Sequence, residues 1–103
     1  MSQWHSIIKK SDLKPGQGMQ VPLEGKVLAL FNVDGKFYAI DDTCTHAGAS
    51  LAEGAVAGTV VTCPWHGATF DITTGRVLSP PAPQGVLSYR VQVDGSDIKI
   101  ELP

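Results

Sequence analysis

Each of the two cysteines of this 103-residue chain is followed by a histidine within three residues. One residue separates Cys44 from His46, two residues separate Cys63 from His66, and sixteen residues lie between the two pairs. The remaining histidine, His5, has no such neighbour. Thiolates and imidazoles are ligands for transition metals. The spacing therefore predicts two short loops that meet at one metal centre, with one sulfur and one nitrogen ligand from each loop.

The ligand types alone leave two kinds of centre open. Two cysteines and two histidines suit tetrahedral zinc, but zinc sites usually take both cysteines from one loop and both histidines from the other. Here each loop has one of each. Such loops can direct both thiolates to one iron and both imidazoles to a second, with sulfides bridging them. A disulfide would leave the histidines unexplained. The pattern favours the two-iron centre, and a zinc-stabilised structural module is the alternative.

The composition excludes several classes of function. The chain is 43% apolar and 17% charged, which is typical of one small globular domain. The net charge is −2 and no basic block is present, so nucleic acid is not an expected partner. No apolar run approaches the ~18 residues of a membrane-spanning helix. The first residues do not resemble a signal peptide, so we expect a soluble, cytoplasmic protein without a membrane partner.

The chain reads as many short β-strands separated by turns. Residues 27–31 and 36–40 flank a turn ending in Asp34 and Gly35, which is typical of a tight hairpin. A second hairpin is predicted from residues 86–93 and 97–102. Further strands are predicted at 5–8, 19–23, 59–62 and 69–72. No segment has a sustained helical period, so the sequence predicts an all-β antiparallel sandwich or small barrel.

The four candidate ligands lie in one unusual region. Residues 41–72 are rich in glycine, alanine and threonine. We interpret this region as an insertion in a β framework formed by residues 1–40 and 73–103, all within a single domain, 1–103. Residues 79–83 form a second irregular segment, stiffened by three prolines with fixed φ.

The two loops resemble the ligand boxes of a known family. Residues 44–51 (CTHAGASL) and 63–70 (CPWHGATF) are similar to the paired boxes of the Rieske iron–sulfur proteins. The likeness is greatest to the small Rieske ferredoxins of bacterial aromatic ring-hydroxylating dioxygenases. It extends to residues 75–78 and to the proline-rich segment. The resemblance implies a Rieske-like fold with an inserted cluster-binding subdomain, and one Rieske 2Fe–2S cluster.

The resemblance also implies a role for each ligand. Cys44 and Cys63 would bind the inner iron through sulfur, and His46 and His66 would bind the outer iron through Nδ1. The family's high-potential branch has an extra disulfide and two hydroxyl donors to the cluster sulfurs. Here the corresponding hydroxyl positions are Ala68 and Phe70. We therefore expect a potential near the low end of the Rieske range, about −150 mV rather than about +300 mV.

The implied function is one-electron transfer. The protein would take electrons from an NAD(P)H-dependent flavin reductase, a ferredoxin reductase, and pass them to a terminal ring-hydroxylating oxygenase. A mononuclear-iron oxygenase needs a further set of histidine and carboxylate ligands, and His5 is the one histidine left. We therefore expect an electron-transfer component of aromatic hydrocarbon catabolism, with no catalytic residues of its own. The small Rieske subunit of an assimilatory nitrite reductase is the alternative within electron transfer.

A few other residues invite interpretation. Trp65 either shields the cluster from water or forms an exposed aromatic contact for a redox partner. Trp4 and Phe70 are predicted to lie in the core. Asp41, Asp42 and Glu53 flank the first ligand pair and are interpreted mainly as a solvated surface; the alternative is electrostatic steering toward a basic patch on a partner.

Overall fold

The computed structural model describes residues 3–43, 49–65, 67–79 and 84–102. Within these ranges the chain forms eleven β-strands, two short 3-10 turns and no α-helix. The strands are β1 Gln3–Lys9, β2 Gly18–Leu23, β3 Lys26–Val33, β4 Lys36–Asp41, β5 Ala55–Ala57, β6 Val60–Thr62, β7 Thr69–Asp71, β8 Val77–Ser79, β9 Ser88–Tyr89, β10 Val91–Asp94 and β11 Asp97–Leu102. The 3-10 turns are Lys10–Asp12 and Leu51–Glu53. Among the described segments, none is a helix long and apolar enough to cross a membrane.

The strands form three antiparallel sheets. Their orders are β1-β11-β10, β2-β3-β4-β9 and β5-β6-β7-β8. Every pairing between these strands is antiparallel. The prediction of an all-β antiparallel fold is therefore confirmed.

Tight turns set the register of the longest strands. Asp34 and Gly35 have φ of 52° and 89°, which gives the predicted two-residue hairpin between β3 and β4. Glu24 and Gly25, with φ of 51° and 78°, make an equivalent turn between β2 and β3. The turn at Glu24 and Gly25 has no strong signal in the sequence, because Glu is an uncommon residue in a left-handed conformation.

The second sheet lies between the other two. Successive side chains of a strand point to opposite faces. Leu28 and Leu30 of β3 pack in a core cluster with apolar side chains of β11. Ala29 and Phe31 pack in a different cluster with side chains of β6 and β7. Since β3 is buried on both faces, the molecule is built in three layers with two cores.

Two sequence predictions differ from the structure. The predicted strand 86–93 is divided at Arg90, because β9 pairs with β4 in the second sheet whereas β10 pairs with β11 in the first. Alternation of side chains does not reveal where a strand changes sheets. Trp4 was expected in the core, but its side chain is 42% exposed. Phe70 is fully buried, as predicted.

Candidate metal centre

One of the four predicted ligands, Cys63, lies in the described part of the chain. Cys44, His46 and His66 lie outside the described residues, as do prolines 80, 81 and 83. The structure does describe the segments on both sides of each ligand loop. The described part of the candidate centre therefore consists of Cys63 and the bonds that hold the ends of the two loops.

The second ligand loop is the end of a regular hairpin. Thr62 of β6 pairs with Thr69 of β7, and the next residue, Cys63, donates its backbone N–H to the carbonyl of Ala68 at 2.7 Å. Four residues then close the turn. Gly67 has a φ of +78°, a conformation that other residues rarely adopt, so glycine is favoured here. The backbone of two adjacent strands therefore sets the position of this loop.

The two sides of this loop have different surroundings. Cys63 is 2% exposed and belongs to the core cluster that includes Ala68 and Phe70. Trp65, two residues later, is 56% exposed. A thiol that faces the protein interior and an exposed aromatic side chain thus lie within one short turn. This exposure favours the interpretation of Trp65 as a contact surface over that of a buried shield.

The first ligand loop is closed in another way. An isolated antiparallel bridge joins Thr43 to Ser50, and the backbone N–H of Leu51 donates to the carbonyl of Asp42 at 2.7 Å. A 3-10 turn, Leu51–Glu53, follows at once. No extended ladder of strand pairs flanks this loop in the described residues. Its ends are therefore held by a small number of individual bonds.

The Asp42 carboxylate supplies three of those bonds. Its Oδ1 accepts from the Ser50 hydroxyl at 2.8 Å and from the Ala52 N–H at 3.0 Å. Its Oδ2 accepts from the Gln20 amide at 2.9 Å. Asp42 is 3% exposed, so its interpretation as a solvated surface charge was wrong. The sequence carries one signal for this role, since the residue follows a strand directly and precedes the first ligand pair by two positions.

A close backbone approach brings the bases of the two loops together. Gly54 ends the 3-10 turn that follows the first loop, and a Cβ at this position would lie 2.2 Å from the carbonyl oxygen of Thr62. It would also lie 2.9 Å from a methyl group of Val61. Only a glycine allows this approach, because heavy atoms cannot come so close. Leu51 and Val61, both fully buried, pack in the same cluster as Cys63.

The neighbouring residue, Asp41, holds the chain that follows the proline-rich segment. Its carboxylate accepts from the Tyr89 hydroxyl at 2.6 Å and from the Leu87 N–H at 3.3 Å. Burial of the Tyr89 ring raises the pKa of its hydroxyl, and the hydrogen bond to Asp41 raises that pKa further. Asp41 is half-buried. Adjacent aspartates at the end of β4 thus fix two different segments near the ligand loops.

Side chains also join β7 to β8 beside the second loop. The hydroxyls of Thr69 and Ser79 lie 2.7 Å apart, and the Thr69 N–H donates to Ser79 Oγ at 3.2 Å. The register of the two strands shifts at Thr69. These bonds replace the regular ladder at the point where it is interrupted.

The described residues fit an iron–sulfur cluster. The Cys63 sulfur is buried among apolar side chains, which suits a thiolate that binds iron on the inner side of a centre. Ala68 and Phe70 are both fully buried and carry no hydroxyl. The donor set as a whole, two thiolates and two imidazoles, is the set that a Rieske cluster requires.

Comparison with known families and curated proteins agrees with this chemistry. The model of the Rieske [2Fe-2S] domain matches residues 3–90. The chain is 36% identical, over 100 residues, to the ferredoxin component of the naphthalene 1,2-dioxygenase system of Pseudomonas aeruginosa, covering 97% of this chain and 96% of that protein. It is 44% identical, over 94 residues, to the 3-phenylpropionate/cinnamic acid dioxygenase ferredoxin subunit of Shigella boydii, covering 90% and 88%.

Solved structures with the same fold come from related systems. A chain in the complex of reduced oxygenase and oxidized ferredoxin of carbazole 1,9a-dioxygenase has a TM-score of 0.88 and 37% identity, covering 94% of this chain and 91% of that one. The putative NADH-dependent nitrite reductase small subunit of Mycobacterium tuberculosis has a TM-score of 0.91 and 26% identity, covering 100% and 97%. Since the family model matches most of the chain and the relatives cover nearly all of it, this protein belongs to the Rieske [2Fe–2S] family.

Proposed function

We propose that the protein is a soluble one-electron carrier that delivers electrons to a terminal ring-hydroxylating oxygenase. The observation that supports this most strongly is that relatives matching nearly the whole chain are named ferredoxin components of dioxygenase systems. The protein is then the electron-transfer component, and the chemistry on the substrate occurs in its partner.

The proposed ligands are Cys44 and Cys63 for the inner iron and His46 and His66 for the outer iron. When bound, the cluster supplies reversible one-electron chemistry. With two thiolates and two neutral imidazoles as ligands, the oxidised cluster would carry no net charge, so the surrounding residues would have to accommodate a single negative charge on reduction. Residues 41–72 are the proposed cluster-binding insertion in the framework of 1–40 and 73–103. Three of the four strands of the third sheet, β5 to β7, lie within it.

The surface near the second loop suits a transient redox partner. Trp65 is exposed, and in the sequence it stands between two proposed ligands, Cys63 and His66. Aromatic side chains are enriched in protein interfaces, and electron transfer requires close approach to the cluster. Trp65→Ala should slow electron transfer to the oxygenase while leaving the cluster spectrum unchanged, which stopped-flow measurement of ferredoxin reoxidation can detect.

The partners follow from the position of the carrier. We propose an NAD(P)H-dependent flavin reductase as electron donor and a terminal oxygenase as acceptor, with all components in the cytoplasm. The test is reconstitution of NADH-dependent, oxygen-consuming ring hydroxylation from the three purified proteins. Omitting the carrier should abolish product formation. Hydroxylation at an equal rate without the carrier would contradict the proposal.

The ligand set is tested by spectroscopy on the carrier alone. Dithionite-reduced wild-type protein should show a Rieske EPR signal at low temperature, with two irons and two acid-labile sulfides per chain. His46→Ala and His66→Ala should each lose that signal. His5→Ala is the matched control, since it removes the third histidine, on β1, and should leave the signal intact. A colourless protein with one bound zinc would support the structural-module alternative.

The assimilatory nitrite reductase subunit has weaker support. The chain resembles such a subunit in fold, but the identity of 26% is lower than the 44% to a dioxygenase ferredoxin. The two are distinguished by acceptor. The reduced protein should be reoxidised rapidly by a ring-hydroxylating oxygenase and not by a sirohaem nitrite reductase.

A further inference from the structure

Asp42 is a buried carboxylate whose charge is balanced by no cation in the described residues. The ion pairs found there are Lys9–Asp97, Arg90–Glu101 and Lys99–Asp94, and none includes Asp42. Its hydrogen-bond donors are an amide, a hydroxyl and a backbone N–H, all of them neutral. A buried carboxylate is tolerated only when its oxygens are well satisfied. The free-energy cost of burying Asp42 therefore indicates that its hydrogen bonds have a specific structural role.

Those bonds converge on the return path of the first ligand loop. The chain leaves Asp42 toward Cys44, two residues on, and comes back through Ser50 and Ala52. The carboxylate holds both of these residues, and the Asp42 carbonyl holds Leu51 between them. The Gln20 amide, from β2, binds the other carboxylate oxygen and also Ser50 Oγ at 3.0 Å. One side chain thus ties the two ends of the loop to each other and to the second sheet.

Among the described residues, the first loop has fewer backbone anchors than the second. The second loop is supported by a strand ladder, whereas the first has an isolated bridge at Thr43 and Ser50. A disulfide is not available, because the chain has two cysteines and both are proposed ligands. The described anchors of the first loop are therefore the Thr43–Ser50 bridge, the Leu51 backbone bond and the Asp42 carboxylate.

We propose that Asp42 is a positioning residue for the cluster: its carboxylate fixes the ends of the first ligand loop and thereby the placement of Cys44 and His46. The inference rests on the proposed ligand set. Groups that orient metal ligands from outside the coordination sphere typically change metal affinity 10–100-fold when they are removed. The role depends on the acceptor geometry of Oδ1, which holds both Ser50 and Ala52.

Two substitutions separate geometry from charge. Asp42→Ala leaves the Ser50 hydroxyl and the Ala52 N–H without their acceptor. Asp42→Asn removes the charge but retains Oδ1 for both donors. Its new NH₂ group would face Gln20, whose amide can rotate by 180° to present its oxygen. That rotation gives up the bond from Gln20 to Ser50 Oγ but leaves both bonds to Oδ1 in place. The asparagine variant should therefore retain the clamp.

The experiment compares holoproteins of wild type, Asp42→Ala, Asp42→Asn and Asn32→Ala. Asn32 is the matched control, because it is also buried and hydrogen-bonded, to Leu13 and Gly35, but on a strand end away from the ligand loops. Three properties are measured: the EPR g values of the reduced cluster, its midpoint potential, and the rate at which an iron chelator removes the visible absorbance.

Asp42→Ala should lose its cluster to the chelator about tenfold faster than wild type, with altered g values. Its midpoint potential should change by at least the equivalent of a threefold shift in the reduction equilibrium, about 30 mV for one electron. Asp42→Asn should stay within twofold of wild type in chelation rate, with unchanged g values. Asn32→Ala should lower the unfolding temperature without changing the g values or the potential.

Several results would overturn the inference. Asp42→Ala with wild-type g values, potential and chelation rate would show that the clamp does not position the ligands. If Asp42→Asn changed the g values, potential and chelation rate as much as Asp42→Ala does, the charge of the carboxylate and not its geometry would be responsible. If Asp42→Ala does not accumulate, Ser50→Ala removes one bond of the same clamp, and wild-type behaviour in all three measurements would then decide against it. Failure of the ligand set is recognised separately, because wild type itself would lack the Rieske signal.

Discussion

The two ligand loops carry similar residues but are held in different ways. The second loop closes a hairpin in which consecutive residues of β6 and β7 pair up to the ligand itself. The first loop is closed by a single bridge, by the backbone bond from Leu51 to the Asp42 carbonyl and by the side chain of Asp42. In the second loop, neighbours in sequence set the geometry, whereas the first depends on Gln20, 22 residues upstream of Asp42. Two similar ligand loops are thus held by different interactions, one by backbone strand pairing and the other largely by side-chain hydrogen bonds.

The largest effect on stability is expected where the bases of the two loops meet, at the close approach of Gly54 to Thr62. Gly54→Ala should cost about 3 kcal/mol of unfolding free energy, at the upper end for an overpacked site, because the new methyl group would meet the Thr62 carbonyl. Thermal unfolding of the holoprotein measures the loss.

Gly58→Ala is the control for Gly54. Gly58 has a positive φ of 60° but open space around it, so its substitution should cost only about 1 kcal/mol of backbone strain. Equal losses at the two positions would show that the bases of the loops do not depend on their close approach.

Asp41, unlike the adjacent Asp42, holds a segment outside the ligand loops. Tyr89→Phe removes the hydroxyl that donates to Asp41 and should cost about 1.5 kcal/mol, since the acceptor is charged but only half-buried. Wild type and Tyr89→Phe should give the same EPR spectrum, because this bond holds residues 87–89 and not a ligand loop.

The same variant has a specific pH dependence. The pKa of Tyr89 is raised in the folded protein, so the phenol contributes its full stability below its ordinary pKa of 10.0 and loses it as the pH rises above that value. The difference in unfolding free energy between wild type and Tyr89→Phe should therefore narrow above pH 10. Denaturant titrations at pH 8 and pH 11 measure it, and a constant difference would contradict the assignment.

A smaller effect is expected beside the second loop. Thr69→Val removes the hydroxyl that bonds Ser79 and should cost about 1 kcal/mol, with no change in EPR, because the strand ladder and the backbone bond to Ser79 remain. Altered g values in this variant would show that the second loop also needs side-chain support, and the contrast between the loops would fail. Ser11→Ala, on an exposed 3-10 turn, serves as the control.

The smallest effect concerns the turn after β7. The Thr73 hydroxyl and then its backbone N–H lower the pKa of Asp71, so this carboxylate contributes stability above its ordinary pKa of 3.8 that is lost as the pH falls through the lowered value. Thr73→Val should cost less than about 0.5 kcal/mol at pH 7, because solvent screens the group. The cost should disappear in unfolding measurements near pH 2.

Much of the framework could be predicted because its signals are local. Asp34 and Gly35 take the left-handed conformations that a two-residue turn needs, and the alternation in residues 97–102 matches the burial of Ile98, Ile100 and Leu102. Of the four three-residue strands, β6 and β7 were predicted, each one residue too long, whereas β5 and β8 were not, since so short a segment shows little period. The division of residues 86–93 at Arg90 was also missed, because both halves are extended and differ only in their partners.

The sequence by itself determined the kind of centre and the kind of fold. Cysteine and histidine chemistry depends on residue type and spacing, and hairpins depend on residues next to each other in the chain. The tertiary structure decided which side chains are buried. Trp4 is exposed and Asp42 is buried, because burial depends on which distant segments of the chain pack against a residue. The local spacing of residues in the sequence does not show those contacts.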